Sequence, residues 1–131
     1  MDLVREAYGM SYPDRRRSLE FLRCNWPSFH FDPSMTNEDE AWKLTERETV
    51  PDVLTRINLF LQWLVTRSEN NIVVISHGVW IECCFHAHSP ETLLDSSEAP
   101  ADRVRNGDLF VGECVSLHGQ FQRMENVRRI E

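Results

Sequence analysis

The 131 residues have the length of one domain and suffice for a real core, so residues 1–131 read as a single unit. A net charge of −7 excludes a general nucleic-acid binder but leaves room for a small anionic substrate, which depends on local charge. No apolar run reaches the roughly 18 residues of a membrane span, and Met1-Asp2-Leu3-Val4-Arg5-Glu6 lacks the basic-then-apolar form of a signal peptide. Cys24, Cys83, Cys84 and Cys114 form no Cys-x-x-Cys pair, which fits reduced, partly buried thiols in a cytoplasmic protein.

Residues 3–9 are well mixed, and no apolar strand precedes them. A parallel sheet whose first strand comes only at residue 72 starts late, which suggests that something upstream is missing. Asp14 can cap a helix over residues 15–25, ended by Pro27. Arg15, Arg16 and Arg17 would then fill its first turn, against the helix dipole. Either they are solvated or paired with carboxylates, as charge runs usually are, or one of them faces an anionic ligand, since Arg grips phosphate oxygens bidentately.

Residues 29–48 read as a loop, with Thr36 capping a short helix that reaches Trp42. The clearest helix starts near Thr49, with Pro51 in its first turn. Val50, Val53, Leu54, Ile57, Phe60, Leu61, Leu64 and Val65 recur at helical spacing, and the helix ends near residues 67–70. Arg56 is assigned to packing or surface pairing rather than chemistry.

Residues 72–75 are four consecutive apolar residues bounded by Asn71 and by Ser76-His77-Gly78. Such a run predicts a strand buried on both faces, as in the middle of a parallel sheet. His77 then lies just past the carboxyl end of the strand, and a helix follows from residue 79. Strand ends and helix N-termini converge there in open α/β sheets. Unpaired N–H groups and partial positive charge suit a phosphate, and Gly78 lets a bound group approach the backbone. The alternative is a strand ending in an ordinary turn.

Residues 87–104 are polar and turn-rich, with Pro90 and Pro100. Residues 109–115 and 120–127 flank Leu117-His118-Gly119 and read as an antiparallel hairpin. Helix, tight loop, buried strand and helix together predict a three-layer αβα fold: a mostly parallel sheet ending in that hairpin.

Four stretches, in this order, resemble the C-terminal part of the histidine phosphatase superfamily, the phosphoglycerate mutase-like group. They are Leu3-Val4-Arg5-Glu6-Ala7-Tyr8-Gly9, Asp14-Arg15-Arg16-Arg17, the helix start from Arg47-Glu48-Thr49 through Arg56, and Val73-Val74-Ile75-Ser76-His77-Gly78. Asn106-Gly107-Asp108-Leu109 is similar to the family's opening of the last strand, whereas Pro13 stands where one subgroup often has Cys. The resemblance implies that His77 is the second histidine of a phosphate pocket, stabilising the transferring phosphoryl group. It implies that Glu6 is the general acid that protonates the leaving oxygen. Arg15 or Arg16 would hold the anionic substrate, with Gly78 beside it, and neither metal nor cofactor is implied.

Members of the family open with a strand ending in Arg-His-Gly, whose histidine is the nucleophile. These 131 residues contain no Arg-His-Gly, and Leu117-His118-Gly119 lies in the predicted hairpin turn, after His77. The resemblance therefore predicts an N-terminally incomplete phosphatase acting on a small phosphomonoester, inactive alone because a phosphohistidine route needs its nucleophile. The missing neighbour strand predicts an exposed apolar sheet edge and self-association. The leading alternative is a non-catalytic relative that binds phosphate or a partner protein. Two others are a metal site from Glu82, Cys83, His86 and His88, and a thiol enzyme using Cys83 or Cys84.

Overall fold

The computed structural model describes residues 1–88, 104–105 and 107–130. Three helices, α1 (Leu19–Asn25), α2 (Val50–Leu64) and α3 (Gly78–His88), precede an antiparallel hairpin of β1 (Leu109–Leu117) and β2 (Gln120–Ile130). Most of the predicted turn-rich segment, with Pro90 and Pro100, lies outside the described residues, as does Asn106.

Helix α2 forms where its apolar spacing predicts. The Asp52 carboxylate accepts both the Thr49 backbone N–H (3.0 Å) and the Thr49 hydroxyl (2.5 Å), closing the helix start. Pro51 takes a first-turn position, where a missing N–H costs nothing. The helix ends earlier than predicted, in a turn where the Thr66 and Arg67 amides bond to the Trp63 and Leu64 carbonyls at 3.1 Å. Its inward stripe of Val53, Ile57, Phe60 and Leu61 is buried, and packs with Ala7, with Trp80 and Cys84 of α3, and with Phe121 of β2. Trp80 meets Phe60 edge-on, 5.5 Å between ring centroids.

The hairpin also forms as predicted, with Leu117 paired to Gln120 at its closed end. His118 and Gly119 carry φ of 51° and 74°, the left-handed pair that a two-residue hairpin turn with right-handed strand twist demands.

Three predicted elements differ. Helix α1 starts at Leu19 rather than residue 15, and Ser18 Oγ, not Asp14, caps it by accepting the Phe21 amide at 3.2 Å. The arginine run stays outside the helix, directly before its cap, with Arg17 over the Phe21 ring at 5.6 Å. The short helix from Thr36 to Trp42 is replaced by bends, because the Asp39 carboxylate there turns inward to Arg5 rather than outward to solvent. The third difference concerns the sheet. The hairpin is the only sheet among the described residues, and residues 71–77 join no ladder. The chain combines helices with a β-sheet, but the described residues contain no parallel three-layer sheet. A parallel strand exists only through hydrogen bonds to neighbouring strands, and among the described residues no strand pairs with residues 72–75.

Candidate functional site

The segment preceding and including Glu6 is anchored by side chains of α2 and of the turn into α3. Residues Asp2–Val4 make one 3-10 turn, and the four consecutive carbonyls from Leu3 to Glu6 have no strand to pair them among the described residues. Each is captured. Trp80 Nε1 donates to Leu3 (2.7 Å) and Ser76 Oγ to Val4 (2.6 Å). Arg56 Nη1 donates to Leu3 (2.9 Å) and Arg5 (3.0 Å), and Nη2 to Glu6 (3.3 Å). The remaining Arg56 donors reach the Glu48 carboxylate at 2.6 and 2.7 Å. All five guanidinium N–H groups are thereby used, and the Glu48 side chain is only 2% exposed. This is why a charged residue fits on the buried stripe of α2.

That clamp decides where the two predicted catalytic groups sit. The Ser76–Val4 bond ties the turn one residue before His77 to the strip two residues before Glu6. Glu6 is half-buried, and its carboxylate turns back to accept the Ala7 amide at 2.8 Å. His77 is exposed, and its carbonyl accepts the Ile81 amide at 2.9 Å, starting α3. The bond thus brings the two segments together, with no hydrogen bond between the Glu6 and His77 side chains. A Cβ built on Gly78 would meet only the Val104 carbonyl, at 3.7 Å, an ordinary contact. The fold does not itself require glycine there.

The two predicted substrate arginines have different situations. Arg16 is committed: its Nη1 and Nη2 donate to the carbonyls of Arg17 (2.9 Å), Asn37 (3.4 Å), Thr36 (2.8 Å) and Glu38 (2.9 Å). Its Nε lies 3.2 Å from the Asp2 carboxylate. Arg15 is exposed, 3.9 Å from Glu38 and stacked over Trp42 at 5.4 Å. Both border an open cavity of about 500 Å³, together with Tyr12, Arg17 and Phe21. His77, Glu6 and Gly78 do not line it. The arginine loop is tied to the Glu6 segment by Arg5, which forks onto Asp39 at 2.9 and 2.7 Å and donates to the Asp14 carbonyl at 2.6 Å. Burial pushes the Asp39 carboxyl up. The Arg5 hydrogen bonds and charge, with the Arg16 and Trp42 amides, outweigh burial and hold it below its usual value.

The thiols do not suit nucleophilic work. Burial, with the charges of Cys114 and Cys83, pushes Cys84 up to about 12, and burial with the charges of Glu82 and Glu6 raises Cys83. Among the described residues, no three side chains of His, Cys, Asp or Glu gather as a metal site. His88 instead packs edge-on against Phe121, 5.2 Å away.

Two Arabidopsis thaliana proteins match most of the chain. A phosphoglycerate mutase-like protein is 35% identical over 109 residues, which is 83% of this chain and 40% of the relative. Phosphoglycerate mutase-like protein 1 is 36% identical over 105 residues, 80% of this chain and 37% of the relative. A third, phosphoglycerate mutase-like protein 2, is 39% identical over 70 residues. The chain belongs to the phosphoglycerate mutase-like group of the histidine phosphatase superfamily. This phosphoglycerate mutase-like chain spans about 40% of the length of the first two of these curated relatives, and its match covers 20% of the third. No family model and no solved structure matches it.

Sequence reasoning missed Asp39, Glu48 and Arg5 as organisers of this corner. A signal existed for the Arg56–Glu48 pair, since Arg56 stands three residues after Val53 on the apolar stripe, where a charge needs a buried partner. Asp39 gave none, lying between Glu38 and Glu40 in what reads as a solvated acidic run.

Proposed function

We propose that this chain carries part of the active site of a phosphatase acting on a small phosphomonoester through a phosphohistidine. In this reading His77 stabilises the transferring phosphoryl group and Glu6 protonates the leaving oxygen. The Gly78 end of α3 offers backbone N–H groups to phosphate oxygens. Arg15, exposed and loosely paired, holds the anionic substrate, and Arg16 shapes the loop that presents it. The reading is supported above all by the Ser76–Val4 hydrogen bond, which gathers the His77 turn and the Glu6 segment at one corner. The relatives' printed names, phosphoglycerate mutase-like, fit the same chemistry. A cytoplasmic site of action accompanies it.

The 131 residues contain no Arg-His-Gly, so the chain by itself lacks the nucleophile. We therefore expect no turnover of p-nitrophenyl phosphate by this polypeptide. Inorganic phosphate should bind weakly, shifting the His77 imidazole NMR signals, and the response should vanish in His77→Ala. Steady phosphate release abolished by His77→Ala would overturn the expected inactivity. Phosphate that leaves the His77 signals unmoved would overturn the site. The same missing motif favours a second reading, a non-catalytic phosphate- or protein-binding relative. Phosphate binding without phosphorylation, in a longer chain containing these residues, would establish it.

A further inference from the structure

The arginine run carries a serine directly behind it. In Arg15-Arg16-Arg17-Ser18-Leu19, Ser18 stands three residues after Arg15, and no other Ser or Thr of the chain has Lys or Arg at that offset. Residues 15–18 lie outside α1, and the backbone is extended at Arg15 (φ −76°, ψ 123°) and at Ser18 (φ −56°, ψ 149°). Ser18 is half-buried and lines the open cavity of about 500 Å³ together with the three arginines and Glu38. A hydroxyl-bearing side chain thus shares one cavity with three guanidinium groups. Their commitments differ. Arg16 is bound to the carbonyls of residue 17 and of residues 36–38, which fixes the loop. Arg15 meets the exposed Glu38 carboxylate at 3.9 Å and the Trp42 ring. Arg17 is exposed and rests on the Phe21 ring. An exposed ion pair as long as Arg15–Glu38 contributes little. A phosphate ester offers three acceptor oxygens and a charge of about −1.5 to −2, which Arg binds bidentately.

We propose that Ser18 is a phosphorylation site for a protein kinase that reads arginine three residues before its acceptor, and that Arg15 and Arg17 hold the resulting phosphate. In that step Ser18 Oγ attacks the γ-phosphorus of ATP. The Oγ–P bond forms and the bond from that phosphorus to the β-bridging oxygen breaks. ADP leaves, and the hydroxyl proton passes to the kinase's catalytic base. Ser18 Oγ accepts the Phe21 amide at 3.2 Å, and in the ester a phosphate oxygen can take that amide over. The Arg15–Glu38 pair gives way, because a dianion at bonding distance outcompetes one exposed carboxylate at 3.9 Å. Captured by the ester, Arg15 is withdrawn from an anionic substrate, so the modification acts against phosphate binding. That last consequence alone rests on the function proposed above.

The test is incubation of the full chain with ATP and the catalytic subunit of an arginine-directed protein kinase. Mass spectrometry locates the phosphate, and NMR follows the arginine Nε groups. The expected result is phosphate on Ser18, with the Arg15 and Arg17 Nε signals displaced. Arg15→Ala should slow the modification at least about tenfold. Ser18→Asn keeps a side-chain oxygen for the Phe21 amide, so it should retain the circular dichroism and take up no phosphate at residue 18. A chain left unmodified while a peptide of residues 13–21 is phosphorylated overturns the proposal, since the fold then withholds the serine. So does a phosphorylated chain whose Arg15 and Arg17 signals stay in place, or a rate that Arg15→Ala leaves unchanged. If Ser18 is phosphorylated and clamped but inorganic phosphate moves the His77 signals as before, the modification stands and the substrate role of Arg15 fails.

Discussion

The strip over residues 3–6 and the strand-like segment over residues 72–75 pose the same physical problem and meet it oppositely. Both are short and without a strand neighbour among the described residues. Along the strip, side chains of α2 and α3 reach over and satisfy every carbonyl from Leu3 to Glu6. Along residues 72–75 no such side-chain donor is found among the described residues, and Val73 and Ile75 are 85% exposed. Long donors such as Arg and Trp can substitute for a β-ladder. Ile and Val cannot, because they carry no hydrogen-bonding group. An extended segment rich in them is complete only beside another strand.

Breaking the satisfied region should cost most. Arg56→Ala strands the buried Glu48 carboxylate and removes three hydrogen bonds to the strip, so a loss of about 3–5 kcal/mol is expected in urea unfolding. Arg56→Lys should recover little, since one ammonium cannot replace a five-donor fork. A destabilisation below about 1 kcal/mol would show that the clamp is not what orders Glu6.

Gly9→Ala comes next. Gly9 has φ of 103°, and an added Cβ would sit 2.0 Å from the Glu46 carbonyl, which must move. A loss of about 1–3 kcal/mol is expected, detached from any change at residues 72–75.

Acid should act on the same side of the comparison. The Asp39 carboxyl is held below its usual value of 3.8, so its contribution is fully present above that value. It is lost as pH falls through the lower, folded value, since the unfolded chain then binds more protons. Unfolding followed from pH 6 to pH 3 should show stability falling, with a shallower slope in Asp39→Asn. Equal slopes would remove Asp39 from the acid response.

The smallest effect is expected in the unsatisfied region. Val73→Ser should change the stability of the monomer by no more than about 0.5 kcal/mol, because an 85% exposed side chain has little to lose. A loss above 1 kcal/mol would mean that the segment is already packed in solution and would erase the contrast.

Much of the local structure was legible in the sequence. The α2 stripe, its Thr49 and Pro51 start, α3 following Gly78, and the His118-Gly119 turn all depend on neighbours within a few residues. The start of α1 was misjudged by four residues, because Asp14 and Ser18 are both acceptable caps and only the distant acceptors on residues 36–38 draw Arg16 out of the helix. The candidate site was legible as residue types and order at Glu6 and His77. The side chains that hold that corner together were not.

By itself the sequence determined the helices, the hairpin and the ordered motifs that mark the family, since spacing and turn chemistry act over short stretches of chain. Tertiary structure decided the rest. It set Arg56 and Ser76 onto carbonyls about fifty and seventy residues away, buried Asp39 from the middle of an acidic run, and left residues 72–75 without a ladder among the described residues. A strand's burial is a property of its neighbours, and no pattern within four residues can state whether those neighbours are there.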